Sequence, residues 1–273
     1  MKKLILFFLL SLSNLLLAQG VKVNFAPLPT KKATKNIEEF LPMSSYLESK
    51  ISIKINYIYK KDYQDILDGF KDNSIDMAYL GPLLYLSLKK EYEFIEPIIS
   101  FKQEDGLSKY RCVLAKFKED EFDKKQQIKI ALTQPLSTCG YFMSNILLRE
   151  NFNIDLAKQK YGYTMSHTNA LISVVKGEFL IAGAKEGIAK QFESLGVEII
   201  AKSKLLPGFS IVVNTKTLTK EQIQSIKGAL LELEKKDKNE LKGILSNGVV
   251  EANECDYDEL FIDFNIPYKA NTK

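Results

Sequence analysis

Apolar and polar positions along this chain switch repeatedly between two periods, and the switches mark alternating strands and helices. Residues 21–25 alternate, as do Ile51, Ile53, Ile55, Tyr57 and Tyr59, and a two-residue period lays one face of a strand on a core. Between them, residues 34–49 read as a helix opened by Asn36 and Glu39 at capping-box spacing. Asp62 caps a second helix whose Ile66, Leu67 and Phe70 form an apolar stripe. A short strand over 75–80 stops at Gly81-Pro82, and a helix follows over 83–92. Further strands are expected at 110–117, 128–133, 179–184, 197–201 and 209–213. Helices are expected at 138–150, 169–176, 185–195, 219–234 and 239–245, and the charged stretch 116–127 reads as a solvated loop. This alternation predicts an α/β protein with mainly parallel sheets flanked by helices.

The first residues follow a different logic. Lys2 and Lys3 precede an apolar run over 4–13, extended by Leu15, Leu16 and Leu17, and Ala18 suits the last residue before cleavage. Residues 1–18 are therefore expected to be a secretory signal peptide. The other reading is an uncleaved anchor, since Leu16 stands where a small residue is preferred, but the run is short of the ~20 residues that cross a bilayer. No Cys stands directly after the run, which argues against a lipid anchor there. The expected product is an exported, periplasmic, soluble chain. Losing Lys2 and Lys3 takes the formal charge from +4 to +2, with both signs mixed throughout. No basic patch interleaved with aromatics is present, which excludes nucleic acid as the expected partner.

The chemistry-bearing residues are few. Cys112, Cys139 and Cys255 are the only cysteines, and an odd number leaves a thiol free or paired with another chain. His167 is the sole histidine and no cysteine pair has ligand spacing, so no metal is expected. No phosphate-binding P-loop, GxSxG elbow or HExxH motif occurs, and no cofactor or catalytic set is expected. Cys139 with His167 would make a thiol nucleophile and base, but no third orienting group is evident.

In open α/β sheets, ligands sit beyond the carboxyl ends of the strands. That rule points to residues 27–34, Asp62-Tyr63, 79–82, 135–141, 167–169 and Lys185-Glu186. The stretch Ser137-Thr138-Cys139-Gly140 is the most informative: it opens a helix with two hydroxyls, and a helix N-terminus favours an anion. Gly140 would let a ligand approach the backbone. A plain Ser/Thr N-cap explains the same string. His167 would donate to an oxyanion or simply be a satisfied histidine. Tyr63 and Tyr79 would line the site or merely fill the core.

Taken together in order, Asp62-Tyr63, Ile75-Asp76-Met77-Ala78-Tyr79-Leu80-Gly81-Pro82, Ser137-Thr138-Cys139-Gly140-Tyr141, His167 with Asn169-Ala170, and Lys204-Leu205-Leu206-Pro207-Gly208-Phe209 resemble the phosphonate-binding family of periplasmic substrate-binding proteins of ABC transporters. The resemblance spans roughly 21–233. It implies a class II periplasmic-binding-protein fold of two lobes. Lobe 1 would be 19–105, lobe 2 would be 106–205, and 206–273 would return to lobe 1 with C-terminal helices. Hinge strands would lie near 101–112 and 203–211. It also implies that Ser137, Thr138, His167 and Tyr63 hold the oxygens of a phosphonate, phosphite or phosphate-like ligand. Cys139 stands where the family has Ser, and a thiol is a weaker donor. Two of the acids that hold an ammonium in some members are missing here. Phe209 occupies one such place, Leu180 or Ile181 another, and Glu186 roughly matches a third, so an aminoethyl ligand is not expected. The implied partners are a small anionic ligand and an importer permease, or alternatively a membrane sensor kinase, with the protein itself a monomer.

Overall fold

The structure is a computed structural model that describes residues 20–30, 33–121, 123, 126–233, 241–258 and 260. Along the chain run β1 (Val21–Ala26), α1 (Ala33–Lys50), β2 (Ile53–Tyr57), α2 (Tyr63–Lys71), β3 (Met77–Leu80), α3 (Pro82–Glu91), β4 (Ile95–Phe101), β5 (Lys109–Tyr110), β6 (Cys112–Phe117) and β7 (Lys129–Leu132). A π-helical turn (Thr138–Phe142) leads into α4 (Met143–Phe152), then β8 (Lys160–Tyr163), α5 (His167–Val175), β9 (Ile181–Lys185), α6 (Glu186–Lys190), β10 (Val197–Lys202), β11 (Leu206–Pro207), β12 (Ser210–Asn214), α7 (Lys220–Glu232) and β13 (Val249–Glu251). The expected signal segment 1–18 lies outside the described residues. Of the short helix expected at 239–245, only a 3-10 turn at Gly243–Leu245 falls within them. Among the described residues no helix is long and apolar enough to cross a membrane.

Two sheets, one per lobe, organise these elements. The first has six strands in the order β13-β4-β12-β3-β1-β2, and the second has five in the order β10-β6-β9-β7-β8. Both are mixed, which corrects the expectation of mainly parallel sheets. β1 runs parallel to β2 and β3, but β12 runs antiparallel to β3 and β4, and β13 antiparallel to β4. In the second sheet β7 is parallel to β8 and β9, while β6 is antiparallel to β9 and β10. The cause in the first sheet is the double crossing. The chain leaves along β4 and returns along β12, so the outgoing and incoming strands lie side by side in opposite senses. β5 and β11 repeat this as a two-stranded antiparallel ribbon.

Strand β4 escaped the sequence pattern because Pro97 interrupts it. In the structure the register against β12 shifts between Ile211 and Val212, opposite Pro97. A bulge tolerates a residue with no N–H to donate. The helices then cover both faces of each sheet. Phe40, Met43 and Leu47 of α1 and Ile226 and Leu230 of α7 pack on one face of the first sheet, and α2 and α3 cover the other. In the second sheet, α5 and α6 cover one face and α4 the other.

Caps follow the sequence with one exception. Asp62 Oδ1 accepts from the Asp65 N–H at 3.0 Å, and Thr219 forms a reciprocal capping box with Gln222. Asn36 does not cap α1. It lies inside the first turns, buried, and its Nδ2 donates to the Leu28 carbonyl at 2.7 Å. It thereby ties the loop after β1 to the helix.

Candidate functional site

The ends of β1, β3, β7 and β9 open onto a cavity of about 1000 Å³. The lobes meet around it. Gln134 Nε2 donates to the Pro29 carbonyl at 3.0 Å, and the Leu83 N–H at the start of α3 donates to Thr138 Oγ1 at 3.0 Å. One buried cluster also runs across, joining Leu28, Tyr63 and Leu84 to Leu136, Cys139 and Phe142.

The turn after β7 supplies the polar end. Ser137 is its N-cap, with Oγ accepting from the Gly140 N–H at 3.0 Å. That leaves the hydroxyl hydrogen for another acceptor. Thr138 and Cys139 come first in the turn, and their N–H groups have no acceptor within it. The Thr138 hydroxyl is also hydrogen-bonded to Tyr110, so it is committed between the lobes. The turn is π-helical: Phe142 N–H reaches back to the Ser137 carbonyl at 3.2 Å.

Two buried polar atoms beside the turn have no hydrogen-bond partner, Thr133 Oγ1 and His167 Nδ1. Both residues line the cavity. A buried polar atom without a partner costs free energy that a bound ligand atom would recover. The His167 imidazole is pushed down to about 3, chiefly by burial and then by the Lys185 charge, with the Gly183 backbone opposing. It is therefore neutral across the physiological range.

The remaining wall is aromatic. Tyr79 stacks on Phe209 at 5.0 Å and meets Phe40 and Phe101 edge-on at 5.2 Å. Burial raises the phenols of Tyr63, Tyr79 and Tyr110, which all line the cavity as neutral hydroxyls. Lys185 closes β9, with Nζ 4.1 Å from the centroid of Phe209 and 4.7 Å from that of Tyr110. Burial pushes its ammonium down to about 8, and the Glu39 carboxylate opposes this.

The structure thus brings together Tyr63, Tyr79, Ser137, Thr138, Cys139 and His167 of the expected residues. Three expectations need correction. Cys139 is disulfide-bonded to Cys112, with Cα atoms 4.9 Å apart, so it has no thiol to donate or to act as nucleophile. Cys255 is the free cysteine, and it is exposed. Gly140 does not line the cavity; a Cβ there would fall 1.9 Å from Thr133 Oγ1, so packing against Thr133, just past β7, requires the glycine. Glu186 also stands outside the lining. Its carboxylate bonds Lys202 at 2.8 Å and approaches Lys190 at 3.4 Å, and Lys202 chiefly holds it below the usual carboxylate range. Sequence reasoning missed Thr133, Tyr110 and Lys185 as wall residues. The strand-end rule pointed to Lys185-Glu186, but the match to an acidic position favoured the wrong member of the pair.

The family model described as "ABC transporter, phosphonate, periplasmic substrate-binding protein" matches residues 25–257. The "Phosphonates-binding periplasmic protein" of Escherichia coli is 25% identical over 223 residues, 75% of this chain and 65% of that protein. The chain thus spans slightly less than two thirds of that relative. The "Phosphate-import protein PhnD" of Mycolicibacterium smegmatis is 23% identical over 124 residues, 44% of this chain and 39% of that protein. Among solved structures, PhnD1 from Prochlorococcus marinus in complex with methylphosphonate superposes with a TM-score of 0.75 at 14% identity, covering 89% of this chain and 96% of that one. A binding-protein component of a phosphonate ABC transporter from Pseudomonas aeruginosa gives 0.76 at 16% identity, covering 89% and 85%. At these identities the likeness of the structures establishes the fold.

Proposed function

We propose, from the premise that this chain belongs to the family of periplasmic substrate-binding proteins of phosphonate ABC transporters, that it captures a compact phosphorus oxyanion between its lobes for a membrane permease. The observation that carries the reading is the pairing of Thr133 Oγ1 and His167 Nδ1, buried and unpartnered, with the turn whose first N–H groups face no internal acceptor. Uncharged donors at a helix start suit a tetrahedral anion. In this reading Ser137, the Thr138 and Cys139 N–H groups, Thr133 and His167 hold the oxygens, and Tyr63 and Tyr79 shape the space for the organic group. Methylphosphonate in the Prochlorococcus marinus complex and phosphate in the name of the Mycolicibacterium smegmatis relative define the ligand classes to try first.

The lobes in this account are 19–105 with 206–273, and 106–205. They close about the crossings near 101–112 and 203–211, and closure alters the surface a permease reads. Residues 1–18 direct export and are removed, and the mature protein works as a monomer that binds and releases without catalysis. With its sulfur in a disulfide, Cys139 leaves the thiol-enzyme alternative without a nucleophile. A thermal-shift screen of methylphosphonate, phosphite, phosphate and sulfate tests the reading. A true ligand at one hundred times its Kd adds about 2.7 kcal/mol. Absence of a shift with every phosphorus oxyanion would contradict it.

A further inference from the structure

Four charged residues line the cavity, Lys35, Glu38, Glu39 and Lys185, and Lys185 is the one set over the aromatic wall. Among the described residues, the Lys185 ammonium forms no ion pair and no hydrogen bond; its contacts are the faces of Phe209 and Tyr110, at 4.1 and 4.7 Å. Lys185 is half-buried in that wall, and ring faces compensate a partly desolvated cation only in part. The depression of its ammonium to about 8 reflects that desolvation, with Glu39 the carboxylate whose field opposes it.

Two neighbours place this charge against the oxyanion turn. Tyr110, whose ring it covers, is hydrogen-bonded to Thr138. His167 also feels the Lys185 charge and is itself neutral. Hydroxyls, N–H groups and a neutral imidazole bring no formal charge, and of the two lysines that line the cavity, Lys35 and Lys185, it is Lys185 whose contacts lead to the turn through Tyr110. It also occupies the faces of the aromatic wall that would otherwise receive a cationic tail. A ligand ammonium directed at those ring faces would meet a like charge.

We propose that Lys185 is the charge partner of the bound anion and that it selects compact phosphonates whose organic group carries no ammonium. This deepens the phosphonate reading above and rests on it. Calorimetric titrations of the exported chain with methylphosphonate, 2-aminoethylphosphonate and inorganic phosphate, on wild type, Lys185→Met and Lys185→Arg, test it, with the ligand-free melting temperature of each recorded. Wild type is expected to bind methylphosphonate at least tenfold more tightly than 2-aminoethylphosphonate. Lys185→Met should weaken methylphosphonate at least tenfold and narrow that ratio, and Lys185→Arg should keep more affinity than Lys185→Met. The ligand-free Lys185→Met protein should melt higher than wild type, because an unpaired charge has been removed; a lysine with a merely structural role would give a lower melting point. Unchanged methylphosphonate affinity in folded Lys185→Met, or a wild-type preference for the amine, overturns the inference while leaving phosphonate binding intact. If wild type binds phosphate but neither phosphonate, the phosphonate reading and the amine selectivity both fail. The charge-partner role is then decided on phosphate, supported by a tenfold loss in Lys185→Met and overturned by none. Binding of none of the three overturns both.

Discussion

The two walls of the cavity are held in place by different forces. On the lobe 1 side, Tyr79 is gripped by rings: Phe40, Phe101 and Phe209 all lie 5.0 to 5.2 Å from it. On the lobe 2 side, the turn from Thr138 to Phe142 is fixed by a few directed bonds, namely the disulfide to Cys112, the Ser137 cap and the Thr138 bond to Leu83. Packing spreads its energy over many weak contacts, whereas directed bonds concentrate it. The first wall therefore defines shape, and the second is where the loss of one atom changes affinity.

Breaking the first wall has the largest expected cost. Tyr79→Ala should lower stability by about 4 kcal/mol, as large-to-small aromatic changes in cores do, read by urea denaturation. On the second wall, the Cys112→Ala, Cys139→Ala double variant removes a link across a sequence separation of 27. Chain entropy puts that loss at about 3.5 kcal/mol, and the freed turn should bind phosphonate less well. Thr138→Val keeps the shape but strands the buried Leu83 N–H. It should cost about 2 kcal/mol and enlarge the ligand-free radius in small-angle scattering, because the bond lost is one between the lobes.

A further effect is set by pH. The His167 imidazole is depressed from 6.5 to about 3 on folding, so the unfolded chain binds the extra proton first as pH falls. Its contribution to stability is complete above 6.5 and is lost as pH drops towards 3. Between pH 6 and 4, wild type should lose more stability than His167→Gln in equilibrium denaturation, and equal losses would contradict a buried neutral imidazole.

The same contrast explains what could be read from the sequence. Two-residue alternation gave β1 and β2, and the Asp62 and Thr219 caps fell where local hydrogen bonding puts them. Ser137, Thr138 and His167 were legible because a strand end, hydroxyls and a helix start coincide there. Other features depend on the fold alone. Pro97 broke the pattern of β4, whose bulge exists only against β12. The partner of Cys139 is set by β6 passing behind the turn, and spacing says nothing of that. Gly140 looked like room for a ligand but is room for Thr133. Lys185 and Glu186 are adjacent in sequence, and only the structure separates the one lining the cavity from the one paired with surface lysines.

The central claim is that the turn holds the ligand oxyanion, and Ser137 tests it most directly because its hydroxyl hydrogen is not committed to the cap. Isothermal titration of methylphosphonate into wild type and Ser137→Ala decides the matter, with circular dichroism confirming that both are folded. A hydrogen bond to a charged group contributes about 1.5 to 3 kcal/mol, so Ser137→Ala should bind roughly tenfold to a hundredfold more weakly at one-to-one stoichiometry. Equal dissociation constants for the two proteins would contradict the account.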